Sequence, residues 1–507
     1  MKNFWLSQYL THLFRFKIRY SIFALIIVFI LVSCTNTPNT TLQFGLSSQP
    51  SNLDPLFATD ATSTRLDRLL YQRLVDFDKS SQAIPGITNW QKISDTHYRF
   101  TLNEHVRPFH NGNSLTSTDI KATYDFILEP NNASPHRSIL TIIENITTPD
   151  KLTTDFFLKR ADPLFPAYLA VGIVPKTLLK TQHALNLQPM GSGPFKFVRK
   201  TDDGKISLLR RKDQKQIDFI YVPDPTVRIL KLLRGELDLL QNDIQPELID
   251  YLSNKEKISI DRIAGSNFSY IGFNMLDEAL KQKNIRIAIA HSINREEIIK
   301  YMFKDSARIA QAILSGDHWA GNASLHNYDY DPQFAQQLLL KAGYSINNPL
   351  QLTFKTSSDP FRLRLATIYQ HQLAKVGIQL DIRSYDWGTF FGDIKAGRFQ
   401  LYSLSWVGIN TPDIFRYTSH SNSIPPKGAN RGRYVDKTTD RLIEQAESKT
   451  DFNEQAKYYA LLQAHLLQEL PYIPLWYEDH VVIKNNKVQN YLVSSQGHYD
   501  GLINVEF

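Results

Sequence analysis

Apolar and polar residues alternate through HYRFTL (97–102), which places Tyr98, Phe100 and Leu102 on one face and predicts a strand. After a Gly112-Asn113 turn the period lengthens. In TSTDIKATYDFIL, Ile120, Tyr124 and Ile127 share one helical face, and Thr116 to Thr118 offer hydroxyls for the N-terminus. The same change of period recurs downstream. YDPQFAQQLLLKAGY predicts a helix capped by Asp331, with Pro332 at its first position, Gly343 past its end and Phe334, Leu338 and Leu339 as its buried stripe. LQLTFKT, a helix from Phe361 to Val376 stopped by Gly377, and IQLDIRSY then read as a βαβ unit, whose parallel strands need both sheet faces covered. Near the C-terminus, Asp451 and Glu454 form a capping-box pattern ahead of NEQAKYYALLQAHLLQEL, which Pro471 ends. Short strands alternating with helices predict α/β architecture, without repeats or internal low-complexity tracts.

One pattern differs. Ser21 to Ser33 is an unbroken apolar run of 13 residues, preceded by Lys2, Arg15, Lys17 and Arg19 and ended by Cys34. A membrane-spanning helix needs about 20 apolar residues, so this run suits a signal-peptide core. Leu31-Val32-Ser33-Cys34 resembles the lipobox of bacterial lipoproteins, which implies lipidation of Cys34, removal of residues 1–33 and a tether over 35–41. The bland alternative is an uncleaved anchor; on either reading the rest of the chain is exported. Cys34 is the only cysteine, so the chain has no disulfide framework and no cysteine-ligated metal.

Composition adds bounds. With 42% hydrophobic and 21% charged residues the chain is ordinary globular protein, long enough for two or three domains. Without the leader's basic residues the net charge drops from +7 to about +3, and no basic run of nucleic-acid type remains.

The chemistry that patterning can reveal is mostly missing. There is no phosphate loop, zinc helix or nucleophile elbow, and Gly191-Ser192-Gly193 followed by Pro194 reads as a turn. His105 and His110 are five apart with a proline between, a poor spacing for metal, and read as structural. No catalytic residue, metal site or cofactor is expected.

Several segments fit one family in order and spacing: SNLDP (51–55), the stretch 97–127, MGSGPFKFV (190–198), ILKLLRGELDLL (229–240), SYIGFNM (269–275) and SLSWVGINTPD (403–413), with the helical and βαβ segments above among them. From about residue 42 to about residue 490 the chain resembles the extracellular solute-binding proteins of peptide-type ABC importers. The resemblance implies a two-lobed α/β clamshell with no enzymatic activity, delivering a peptide or peptide-like solute to an ABC permease and ATPase complex. It implies lobe I over 42–268 with an inserted subdomain at about 77–188, lobe II over 269–476, and a return to lobe I over 477–507. The chain would cross between lobes near Ala264 to Tyr270 and return near Trp476. A lipid anchor would hold it to a membrane in the periplasm or cell envelope. The competing readings are an exported lipid-anchored hydrolase, an envelope structural lipoprotein and, within the family, a receptor for a non-peptide solute or metal chelate.

By matching position the resemblance implies a ligand pocket formed by Tyr270, Trp387, Trp406 and Tyr477, with the backbone of Val407 and Gly408; each aromatic equally suits a lobe core. Peptide-binding members usually place an aspartate three residues after this tryptophan to pair with the peptide ammonium. Here that position is Ile409, which cannot form the pair, and this predicts weak binding of free-amine peptides. Asp413 is the substitute if the loop is shifted, though Thr411-Pro412-Asp413 also suits a turn. For a ligand carboxylate, Arg364 and its neighbour Arg362 lie near where some members place an arginine.

Overall fold

The computed structural model describes residues 41–507 apart from 79, 105, 182 and 410, so Cys34, its leader and His105 lie outside the described residues. Contacts divide the chain at Leu42, and the second unit, Gln43–Phe507, carries the elements discussed below.

Strand β1 (Thr41–Leu46) leads to the helix Ala61–Leu70, the short β2 (Val75–Phe77) and β3 (Ala83–Pro85), and then β4 (Thr88–Ser94), β5 (His97–Leu102), β6 (Ile143–Thr147) and β7 (Thr153–Leu158). The last four form a separate antiparallel sheet in the order β4-β5-β7-β6. Its cover is the helix Ser117–Leu128, whose Ile120, Tyr124 and Ile127 are fully buried, with Tyr124 edge-on to Phe156 of β7 at 5.5 Å. The Asp119 carboxylate accepts the Thr116 N–H at 3.0 Å at the N-terminus of this helix.

The main sheet takes β8 (Phe195–Lys200), β9 (Ile206–Arg210), β10 (Gln216–Tyr221), β11 (Leu239–Gln241), the long β12 (Ile258–Phe273), β13 (Ala307–Ile309), β14 (Leu350–Ser357), β15 (Ile378–Tyr385), β16 (Leu401–Trp406) and β17 (Tyr472–Asn485). With β1 it has 11 strands, in the order β15-β14-β16-β12-β17-β11-β1-β10-β9-β8, with β13 on the edge of β17. The βαβ unit is present: β14 and β15 pair in parallel around the helix Pro360–Ala374, and β16 joins β14 in parallel.

β12 and β17 are common to both ends of this sheet. β17 meets β13 through Trp476–Glu478 and β11 through Val482–Lys484, so one strand edge changes partner in mid-course. There the β12–β17 register breaks twice. Ala264, Gly265 and Ser266 face the single residue Asp479, and Leu475 is skipped between the Ser269–Trp476 and Tyr270–Pro474 pairs. Such bulges bend and twist a strand pair. Gly265 is required by close approach, because a Cβ there would sit 2.2 Å from the Glu478 carbonyl oxygen. The C-terminal tail returns under β1: Tyr499 packs on Phe44 at 4.8 Å, and the buried Arg210 of β9 donates to the carbonyls of Leu502 and Val505 at 2.9 and 2.7 Å.

Local detail departs from expectation in two places. The stripe of the helix Pro332–Lys341 is Ala335, Leu338 and Leu339, while Phe334 is 41% exposed, because the buried face is turned by one residue. At Asp451 the box is half made: its carboxylate caps the Glu454 N–H, but the Glu454 side chain turns to Lys457. Gly191 and Gly193 pack against the backbone of Leu69 and Leu70, where a Cβ would fall 2.2–2.3 Å from a carbonyl oxygen. His110 accepts the Gly191 N–H, and burial pushes its imidazole down to about 4, so it is neutral and structural.

Candidate functional site

The parallel strands β14, β15 and β16 end together, and in open α/β sheets the crevice beyond the carboxyl ends is where ligands bind. Beyond β14 lies the N-terminus of the helix Pro360–Ala374, beyond β15 that of the helix Trp387–Ala396, and beyond β16 the loop Trp406–Asp413. At the same level β12 and β17 continue past the end of β16 toward β11, since Phe268 pairs with both Trp406 and Tyr477.

On one face of β12 and β16, the side chains of Phe268, Tyr270, Tyr402 and Trp406 line a cavity of about 40 Å³, closed on the far side by the segment Ala429–Gly432. Tyr270 is 5% exposed, so it is both a core residue and a cavity wall. Arg431 enters from the closing segment. Its Nη1 donates to the Tyr270 hydroxyl at 3.1 Å, and its guanidinium lies 4.5 Å from the ring centre of Trp406 and 5.1 Å from that of Phe391. Trp387, 59% exposed, stacks on Phe391 at 5.4 Å, and Tyr417 meets Trp406 edge-on at 6.2 Å. The result is a ladder of four aromatic rings with a cation in its middle.

The loop after Trp406 turns through Gly408, whose φ of +70° favours glycine. Val407 is exposed, whereas Ile409 packs against the aromatic core beneath the cavity. Asp413 does not cap the helix Ile414–Ser419 that it precedes; its carboxylate accepts the Thr411 hydroxyl instead. Burial pushes the Asp413 carboxyl up to about 6, and the neighbouring carboxylates Asp162 and Glu447 add to the rise. Asp162, which comes from the segment before the turn Phe165–Tyr168, is itself raised to about 6 by burial, against hydrogen bonds from the Leu164 N–H and the Tyr168 hydroxyl. Glu447 is held by Arg416 at 2.7 Å and Asp162 has Arg160 at 3.9 Å, which leaves Asp413, of the three, without an ion pair among the described residues.

Two residues expected at the pocket sit elsewhere. The Tyr477 hydroxyl donates to the Ala312 carbonyl at 2.5 Å and its ring is buried in the core, away from the cavity lining. Arg364 is half exposed and pairs with Glu247, on the helix Pro246–Ser253. Its neighbour Arg362 turns inward to Glu478. Sequence reasoning missed Arg431 and Asp162; a Gly-flanked arginine or a solitary aspartate carries no periodic signal. Among the described residues no cluster of three or more potential metal ligands occurs, and no helix is long and apolar enough to cross a membrane.

Comparison with known proteins places these features in context. The profile described as "Bacterial extracellular solute-binding proteins, family 5 Middle" matches residues 84–425. The chain is 25% identical over 499 residues to a dipeptide-binding protein of Escherichia coli, covering 90% of this chain and 93% of that one. It is 26% identical to heme-binding protein A of Haemophilus influenzae, covering 93% of each. Among solved structures, the Helicobacter pylori DppA complex with the peptide STSA superposes with a TM-score of 0.79 at 26% identity, over 92% of this chain and 98% of that one. Campylobacter jejuni NikZ with Ni(L-His) gives a TM-score of 0.82 at 22% identity, over 93% and 100%.

Proposed function

The chain belongs to family 5 of the bacterial extracellular solute-binding proteins, and from that membership we propose that it captures a peptide or peptide-like solute at the carboxyl edge of β14, β15 and β16. It is a binding protein of an ABC importer and not an enzyme. The observation that supports this edge as the site is the Trp387–Phe391–Arg431–Trp406–Tyr417 ladder beside a small cavity, an apolar wall with one charge. Asp413 and Asp162 supply the complementary carboxylates, which suit a ligand ammonium in place of the missing aspartate at Ile409.

In this reading the lobes are 42–268 (with an inserted subdomain over about 77–188) joined by 477–507, and 269–476. The bulges at Ala264–Ser266 and Leu475 support the crossings at those points. A ligand that contacts both lobes favours the closed arrangement by its differential affinity, and the permease reads closure. Cys34 carries a lipid anchor that keeps the receptor at the membrane. Small-angle scattering with a di- and tripeptide pool is the test: bound peptide shrinks the radius of gyration and raises the melting temperature. Binding without compaction would remove the clamshell mechanism. A Cys34→Ser chain that is still processed and membrane-bound would remove the anchor.

A further inference from the structure

We propose that the outer edge of β8 is a docking groove for an extended, acidic segment of a partner protein, which adds to the main sheet as a further strand. This goes beyond the receptor reading. The groove is lined only by residues between Gln49 and Gly204 and shares none with the cavity beside Trp406.

The sheet order ends at β8, so among the described residues the outer N–H and C=O groups of this strand have no ladder partner. Such an edge is ordinarily kept short or covered. Here five consecutive residues of β8, Lys196 to Lys200, line a groove of about 900 Å³, so the groove follows the edge itself. Its opposite wall comes from the stretch His183 to Met190. The volume lies toward the upper end of ligand sites, roughly 300–1,000 Å³, and the six residues of β8 offer about 20 Å of extended chain to pair with.

The chemistry of the lining selects the partner. Lys196, Arg199 and Lys200 are exposed and make no ion pair among the described residues, whereas Lys205, past the turn, is answered by Asp218 at 3.7 Å. Asp202 is the one acidic residue among the described lining. In a regular strand Lys196 and Arg199 would point to opposite sides. The bulge at Val198 changes this: Lys196 pairs with Leu209 and Arg199 with Ser207, two residues on one face of β9, so both cations stand on the same side of the edge. Lys200, opposite Ile206, stands on the other. Val198 on the bulge and Leu187 on the facing wall are both exposed and supply apolar contact. A polypeptide with acidic and apolar residues in alternate places answers the charges, the apolar wall and the unpaired backbone together. A phosphate polymer would meet only the charges. A second copy of this chain, paired edge to edge, would set three cations against three.

Both walls are fixed before a partner arrives. The Arg211 N–H donates to the Pro194 carbonyl and the Thr201 N–H to the Lys205 carbonyl, each at 2.9 Å, which clamps β8 at either end. Across the groove, His183 Nε2 lies 2.9 Å from the Gln188 carbonyl oxygen, and the Leu187 N–H donates to the Ala184 carbonyl at 2.9 Å. A preorganised edge loses little entropy on binding.

The test is fluorescence anisotropy on the full chain with a labelled hexapeptide of alternating glutamate and valine, N-acetylated and C-amidated. Wild type is expected to bind it, less tightly as salt rises, and to ignore the lysine–valine counterpart. The triple variant Lys196→Glu/Arg199→Glu/Lys200→Glu is expected to lose affinity on the order of tenfold or more. Of two peptide forms methylated on alternate backbone nitrogens, the one blocked toward β8 is expected to lose as much. Melting curves check that the variant folds, and Lys196→Gln/Arg199→Gln/Lys200→Gln replaces it if it does not. Unchanged binding by the folded variant places the peptide elsewhere and overturns the proposal, as does no binding by wild type. Full binding of both methylated forms, or equal affinity for inorganic polyphosphate, shows an anion site without strand pairing and also overturns it. Scattering with the di- and tripeptide pool answers to the receptor reading alone, so either can fail without the other.

Discussion

Arg362, on the helix Pro360–Ala374, grips Glu478 of β17 with both arms of its guanidinium, at 2.9 and 3.3 Å. An arginine at the carboxyl edge of the sheet is thus neutralised from within, and Ser269 of β12 completes the carboxylate's shell at 2.7 Å. Burial works against the Glu478 charge, but Arg362 and these hydrogen bonds outweigh it and hold the carboxyl below its usual range. The pair's stabilisation is therefore present above the ordinary glutamate pKa and lost as pH falls through the lowered one. Glu478→Gln is expected to cost about 1–2 kcal/mol at pH 7, less than a fully buried pair because both side chains keep some exposure, and to flatten the acid limb of stability. Urea melts from pH 3 to pH 7 check this; an unchanged acid limb would count against the pair.

Asp413 and Asp162 have the opposite sign. Their carboxyls are raised to about 6, so the stability they allow is full below pH 4 and declines as pH rises through 6. Asp413→Asn is expected to raise the melting temperature of the ligand-free protein at pH 7.5 by a few degrees, with the gain vanishing at pH 4. A scanning-fluorimetry pH series reads this, and a variant less stable at pH 7.5 refutes it.

The same carboxylates decide how Ile409 is to be understood. If Asp413 and Asp162 receive the ligand ammonium, N-acetylation of a dipeptide weakens binding on the order of tenfold or more, Asp413→Asn removes that penalty, and Ile409→Asp gains little, since its side chain is partly buried against the aromatic core. Calorimetry with free and acetylated peptides distinguishes the cases. Indifference to acetylation, with a strong gain in Ile409→Asp, would restore the expectation that the solute lacks a free amine there.

Gly265 is the fourth test point. A methyl group 2.2 Å from the Glu478 carbonyl forces β12 and β17 apart at the bulge. Gly265→Ala is expected to cost about 1–3 kcal/mol in stability and to alter the compaction seen on ligand binding. A variant with wild-type melting and wild-type scattering would show that the crossing is not sterically tight.

Local elements were legible because their causes are local. Ile120, Tyr124 and Ile127 announce a buried face by spacing alone, and Asp331-Pro332 announces a helix start. The four-residue gap that puts Phe334 in the stripe puts Leu338 there too, and only packing against the rest of the lobe decides which neighbouring row is turned inward. The expectation of discontinuous lobes came from family resemblance, since no pattern at Tyr270 or Trp476 alone reveals a partner two hundred residues away. Arg431 was illegible for the same reason. The residues that surround it, Tyr270, Phe391 and Trp406, are distant in sequence. The nearness of Asp162 to Asp413 is likewise a tertiary fact.

The tail that returns under β1 bears on how this chain is made. Ribosomes and export machinery deliver it from the N-terminus, yet Phe44 waits for Tyr499 and Arg210 for the carbonyls of Leu502 and Val505. β17, which also arrives late, is the strand that β11, β12 and β13 all require. The main sheet therefore cannot be completed during synthesis. Until the final residues cross the membrane, its centre is a row of unpaired strand edges, open to proteases and to other chains, so the speed of translocation sets how long the newborn protein stays vulnerable.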